Sequence, residues 1–261
     1  MARYKLYIEY EGTRYVGWQF QKNMKTIQGS FFDAVEDGFQ SNKFEFYGAG
    51  RTDAGVHALQ QVAHLDIDTN LYPNKVQFLL NDRLPGDISV LHVEQTLPDF
   101  HARYSATARS YIYIISRRRT AFGKPFVWWV KDKIDTTSME KAAIHFVGMH
   151  DFASFSDDDP EEKSTKVDLR WIDIYEINDT IIIHVVASHF LHKMVRRLVG
   201  VLAEVGRGYM KPDDVKKLLL HKDPIIAKYT APPSGLFLER VYYGDEIVER
   251  GEGSFYCPFL F

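Results

Sequence analysis

The stretch Gly48-Ala49-Gly50-Arg51-Thr52-Asp53-Ala54-Gly55-Val56-His57 has the residue types and the spacing to do chemistry. Its closely set glycines ask for unusual backbone angles or the near approach of another backbone. A carboxylate fixed in such a turn, with the Arg51 cation nearby to favour its ionised form, can act as nucleophile or base. An Asp in a Gly-rich turn also serves simply to satisfy neighbouring amides, and the spacing admits both roles. Two phosphate-binding motifs are excluded. The dinucleotide fingerprint needs a glycine where Asp53 stands and then a helix, whereas a strand follows here. The GxxxxGK[ST] loop is absent. Metal chemistry finds little support and no metal is expected: His57 and His64 stand seven apart, and His189 and His192 lack a third partner. The only cysteine, Cys257, sits in an aromatic tail, Phe255-Tyr256-Cys257-Pro258-Phe259, that reads as packing. A lone cysteine excludes an intrachain disulfide, a Cys-rich zinc site and a CxxC redox pair.

A second group of residues suits a polyanion. Tyr111 and Tyr113 share a face of an apolar strand just after Arg109. They are either core aromatics or a stacking platform for a flipped nucleotide beside phosphate-binding arginines. Residues 101–120 carry Arg103, Arg109, Arg117, Arg118 and Arg119 and no acid. Residues 190–217 carry Lys193, Arg196, Arg197, Arg207, Lys211, Lys216 and Lys217 against Glu204, Asp213 and Asp214. The opposite sign gathers in 151–162, where Asp151, Asp157, Asp158, Asp159, Glu161 and Glu162 have no cation among them. The formal net charge of −3 argues against a nucleic-acid partner, but a binding face needs local potential rather than a basic total. Arg103, Arg109, Arg117, Arg118, Arg197 and Arg207 are therefore candidate phosphate contacts, with a solvated surface as the plain alternative.

The elements that must position these groups follow from hydrophobic period. Tyr4–Tyr10 alternates as a half-buried strand. Thr26 is a candidate N-cap for a helix carrying Ile27, Phe31, Ala34, Val35 and Phe39. A short strand at 44–47 runs into the glycine loop, and Gln61–Ile67 alternates again. Pro73 opens a helix that ends near Pro85-Gly86, and a strand follows at 88–93. The second half predicts a strand at 107–116, a helix at 138–147, and a hairpin of 167–177 and 181–188 around Asn178-Asp179. Helices at 190–205 and 212–221 and a closing strand at 236–243 complete it. On the helix beginning at Phe190, Leu191, Met194, Leu198, Val201, Leu202 and Val205 share one face; Arg197 flanks it, and Arg196 lies about 150° from its centre. Arg196 thus points to solvent or into an anionic cleft. Mostly antiparallel strands with interspersed helices mean an α+β fold, divided at 1–105 and 106–261 into two related halves sharing a central sheet with a cleft between them.

Length and composition set the outer bounds. The chain has 261 residues, 45% apolar and 26% charged, which is ordinary for a globular protein. No apolar run reaches the roughly 18 residues a membrane helix needs, so no membrane partner is expected. Met1–Lys5 leads straight into strand-like alternation without a signal-type apolar region. The cytoplasm is the expected compartment.

Several strings in order carry a resemblance over nearly the whole chain. They are Tyr10-Glu11-Gly12-Thr13-Arg14-Tyr15-Val16-Gly17-Trp18-Gln19, Thr26-Ile27-Gln28-Gly29, Gly50 to Ala58, Phe100 to Tyr111, His150 to Phe155, Phe190 to Arg196, and Ala231-Pro232-Pro233-Ser234-Gly235-Leu236. Together they resemble the bacterial tRNA pseudouridine synthase A family. The resemblance implies the pseudouridine synthase fold, with Asp53 as catalytic aspartate and Tyr111 stacking on the target base. Arg196 would lie near Asp53, and Arg51 would guide RNA and hold the flipped-out site. It also implies a homodimer without cofactor or metal, acting on uridines of the tRNA anticodon stem-loop at positions 38–40. Breaking the N1–C1′ bond and rejoining the base through C5 oxidises and hydrolyses nothing. One carboxylate suffices, by adding to sugar or base or by removing a sugar proton. The chain departs from the family after Phe155, where acids crowd 157–162 and the usual arginine is replaced, with Lys166 the nearest cation. That departure bears on the substrate, leaving open another tRNA or RNA site. From a different class, the alternative is a non-catalytic tRNA-binding or folding module.

Overall fold

The computed structural model describes residues 1–158, 161–162, 164–220, 224–246, 248 and 250; Asp159, His221 and Cys257 lie outside the described residues. In chain order the elements are β1 (Ala2–Tyr10), α1 (Ile27–Phe39), β2 (Phe44–Gly48), β3 (His57–Ile67), α2 (Pro73–Asn81), β4 (Ile88–Gln95), β5 (Ala106–Ser116), β6 (Trp128–Trp129), α3 (Thr136–Ala143), β7 (Gly148–Asp151), β8 (Lys166–Ile177), β9 (Thr180–Ala187), α4 (Met194–Gly206), α5 (Asp214–Leu220) and β10 (Leu236–Tyr243). The fold is α+β. It divides into two compact units, one of Met1–Thr107 with Phe237–Glu246 and one built on Ala108–Leu236. Among the described residues no helix is long and apolar enough to cross a membrane.

In the first unit β3 is the organising strand. Along one edge it pairs antiparallel with β1 from Ala2↔Ile67 to Tyr10↔Ala58, and β4 extends the sheet beyond β1. Along the other edge it changes partner. β2 covers Ala63 to Ile67 in antiparallel register, and β10 covers His57 and Ala58 in parallel. The chain between β2 and β3 leaves through the interval that neither partner covers. With neighbours on both sides β3 is buried almost end to end, so the expected alternation over Gln61–Ile67 gives way to buried polar groups that each find a partner. Gln61 Nε2 donates to Gly50 O at 3.0 Å, Ala102 N–H donates to His64 Nδ1 at 3.2 Å, and Arg3 Nε donates to Asp66 at 2.6 Å. Helix α1 starts where the sequence places it, because Thr26 accepts the Gly29 N–H. Its Phe31 stacks on Phe46 of β2 with ring centroids 4.8 Å apart.

In the second unit β7, β8 and β9 form a meander, to which β5 is added beside β9. β5 pairs antiparallel with β9 from Arg109↔Ala187 to Ser116↔Thr180, β9 with β8, and β8 with β7. The two-residue β6 adds a parallel contact to β5. Two expectations need correction. The helix expected from Phe190 begins at Met194, because Lys193 takes the left-handed conformation at φ +62° and a turn closes from Leu191 O to Met194 N–H. The helix expected over 138–147 begins at Thr136, capped by Asp135, and ends in a 3-10 turn at Ile144–Phe146. Helix α4 is buried on nearly all sides, and Gly200 lets Tyr229 O lie where a side chain would stand, 1.4 Å from an ideal Cβ.

Candidate active site

Asp53 sits in the loop that spans the uncovered interval of β3, in the first unit. Its own carbonyl closes a tight turn with Val56 N–H at 3.2 Å, and Gly55 in that turn has φ +77°. A side chain is strained there, so the glycine is required. The loop is fastened at its ends, where Ala49 N–H donates to Val62 O at 2.7 Å and Gly12 N–H donates to His57 Nδ1 at 2.9 Å. That bond leaves the His57 proton on Nε2, and the ring stacks on Phe237 at 4.7 Å. His57 is thus a structural histidine.

The opening string Tyr10–Gln19 has a physical role beside this loop. Trp18 N–H donates to Thr52 O at 3.1 Å, Gly55 N–H donates to Tyr15 O at 3.3 Å, and the Tyr10 hydroxyl meets Thr52 Oγ1 at 2.8 Å. Gly17, with φ +96°, lies so close that a Cβ would stand 2.6 Å from Thr52 O. This bracing segment is itself held by Asp87, which accepts the Tyr15 hydroxyl at 2.6 Å and the Arg14 guanidinium at 2.6 Å. Burial pushes the Asp87 carboxyl up, but the bonds from Tyr15 and Arg14 outweigh it and hold the carboxyl below the usual range. Tyr10, Gly17 and Asp87 were not singled out as individual residues by sequence reasoning. The signal for the first two was their place in a recognisable string; Asp87 had only its Pro85-Gly86 turn. Asp53 itself is half-buried and Arg51 exposed.

Tyr111 and Arg196 belong to the second unit. Tyr111 on β5 is half-buried, with Phe190 edge-on at 4.9 Å. Tyr113, on the same face, is fully buried, and its hydroxyl donates to Pro232 O at 2.8 Å. Burial pushes that phenol well up. The two tyrosines therefore part company: Tyr113 is core, and Tyr111 alone keeps a partly open ring. Arg196 is half-buried, its Nε donating to Ala231 O at 2.7 Å while its carbonyl accepts Ala231 N–H at 3.0 Å. The Ala231–Leu236 string thus aims the Arg196 head.

The remaining arginines sort by partner. Arg51, Arg103 and Arg118 are exposed, with Arg103 over the Tyr104 ring and Arg118 3.6 Å from Asp179. Arg109 donates to Ser188 O at 3.0 Å. Arg117 is paired with Glu176 at 2.8 Å, and Arg207 with Glu204 at 2.6 Å and Asp132 at 3.0 Å while lying over Trp128. Arg197 is 5% exposed and paired with Asp157. The Arg197 guanidinium is thus committed within its own unit.

The model of a family described as tRNA pseudouridine synthase matches residues 6–105 and 142–244. The chain is 42% identical over 246 residues to tRNA pseudouridine synthase A of Rhodopseudomonas palustris (strain BisA53), covering 93% of this chain and 100% of that protein. It is 40% identical over 254 residues to the protein of that name from Azorhizobium caulinodans, covering 96% and 98%. With that from Maridesulfovibrio salexigens the identity is 38% over 250 residues, covering 94% and 92%.

Proposed function

Because this chain belongs to the tRNA pseudouridine synthase A family, and so isomerises uridine in tRNA, we propose that it acts on the anticodon stem-loop at positions 38–40. The reaction breaks N1–C1′, turns the base and joins C5 to C1′; C5 gives up its proton and N1 takes one. In this reading Asp53 supplies the carboxylate, and its loop has little freedom to move. Tyr111 replaces the stacking lost when the base leaves the helix, a cost of a few kcal/mol. Arg196 supplies a guanidinium to the reaction, and exposed Arg51 meets the RNA backbone. The assignment of tRNA as substrate rests on the family, and the observation that supports Asp53 as the acting group is the bracing of its turn by Trp18, Tyr15 and Tyr10. A mere turn residue has no need of so many fixed neighbours.

The test is direct. Purified protein is incubated with unmodified tRNA transcripts, and pseudouridine is mapped by carbodiimide treatment and primer extension. Stops at positions 38–40 are expected. Modification confined to another arm would keep the enzyme class and overturn the assigned uridines.

A further inference from the structure

The acidic stretch that departs from the family pattern has a counterpart in the fold. Lys193 enters α4 at φ +62°, a conformation lysine rarely holds unaided, and no side chain of the helix caps its start. The turn at 156–158 holds this entry instead. Asp157 Oδ2 accepts Lys193 Nζ at 2.6 Å, and Oδ1 accepts the buried Arg197 guanidinium. Asp158 Oδ2 accepts the backbone N–H of His192 at 3.0 Å, and Asp157 N–H donates to His192 O at 3.4 Å. Ser156 Oγ accepts Asp158 N–H at 2.9 Å and so shapes the turn itself. Partial burial pushes the Asp157 carboxyl up, yet the Lys193 hydrogen bond and the Arg197 charge outweigh it and keep the carboxyl below its usual range. Arg196 lies between the two cations that Asp157 ties down.

We propose that Asp157, seconded by Asp158, is a positioning residue that fixes the left-handed entry into α4 and thereby the rotation at which the helix carries Arg196. The proposal rests on Arg196 acting at the site, as read above. It gives the acids a task other than fencing off RNA, and it removes Lys193 and Arg197 from the phosphate-binding set. Asp157 acts through the helix and touches no substrate.

Single-turnover pseudouridine formation at saturating tRNA, tRNA Kd and Tm separate the alternatives. Asp157→Asn should slow the step by about tenfold or more and leave Kd within about twofold. Asp157→Glu should recover most of the rate, and Glu162→Gln, an exposed neighbour of the same charge, should match the parent. The double variant Asp157→Asn with Arg197→Met leaves no unpaired buried charge, so it should regain Tm but not rate. Recovery of rate and Tm together would reduce Asp157 to a stabilising residue and overturn the proposal. So would tighter tRNA binding at unchanged rate in Asp157→Asn and Glu162→Gln alike, which is the signature of a fence. Arg196→Ala distinguishes the two layers. A parent-like rate there overturns the reading of Arg196 itself, whereas a slow Arg196→Ala beside a normal Asp157→Asn overturns the positioning alone.

Discussion

A lone carboxylate can carry an isomerisation only if its place is fixed before the substrate arrives, and the turn that carries Asp53 is held on either side of it, at Thr52 and Gly55, by backbone groups of a distant segment. Asp53→Asn keeps the size and most of the hydrogen bonding of the side chain but loses its charge and basicity. It should form no detectable pseudouridine, fold normally, and bind tRNA within about tenfold of the parent, or ~1.4 kcal/mol. Turnover beyond what deamidation back to Asp supplies would remove Asp53 from the chemistry. Gly17→Ala tests the brace. At φ +96° and 2.6 Å from Thr52 O, the added methyl should cost about 1–3 kcal/mol of stability. Because the group it displaces adjoins Asp53, turnover should fall while tRNA affinity holds; equal losses of both would mean that the whole unit loosens. Tyr10 and Gly17 were legible only as letters of a string, since a sequence does not show which backbone a glycine approaches.

At the scale of elements, β3 shows how burial by two neighbours changes what a strand tolerates. His64 lies inside this strand, and burial, with His101 and Arg3 nearby adding to it, lowers its pKa from 6.5 to about 4. The folded protein therefore keeps His64 neutral while the unfolded chain binds a proton below pH about 6.5. Stability is full above that value and is lost as pH falls toward about 4, by ~3 kcal/mol from this group. His64→Asn should flatten the acid limb of a Tm-against-pH curve; an unchanged limb would assign it to other groups. The class of the fold and the approximate place of α1 and β5 were legible from hydrophobic period, α2 from Pro73 and the Pro85-Gly86 stop, and β8 and β9 from their hairpin around Asn178-Asp179. The extent of β3 was not, because its first residues, 57–60, adjoin the glycine loop and lie before the stretch that alternates. The start of α4 was missed for a different reason. Leu191 falls on the helical face by period, but Lys193 turns left-handed under a tie to Asp157 that lies 36 residues away in sequence.

For the whole molecule, the question is how a chain of net charge −3 holds a polyanion. Clusters of arginine in the sequence overstate the answer, since Arg117, Arg197 and Arg207 are each paired with carboxylates. Arg118 is 68% exposed on its side chain and 3.6 Å from Asp179, which makes it the first candidate to test. Arg118→Ala should weaken tRNA binding and flatten the log Kd against log salt slope by up to about one unit. Arg117→Ala should leave that slope nearly unchanged and lower Tm instead, because its guanidinium is held by Glu176. The reverse result would mean that tRNA displaces Glu176 on binding. With Arg117, Arg197 and Arg207 tied to carboxylates, two subunits sharing one tRNA would double the basic groups that each chain can offer. A homodimer in solution is therefore expected, together with modification that needs the folded tRNA rather than an isolated stem-loop oligonucleotide. Light scattering on the active enzyme checks the first and the mapping assay on both substrates checks the second. An active monomer that modifies the short oligonucleotide at the full rate would mean that one chain suffices, and the exposed arginines of a single subunit would then have to carry the entire contact.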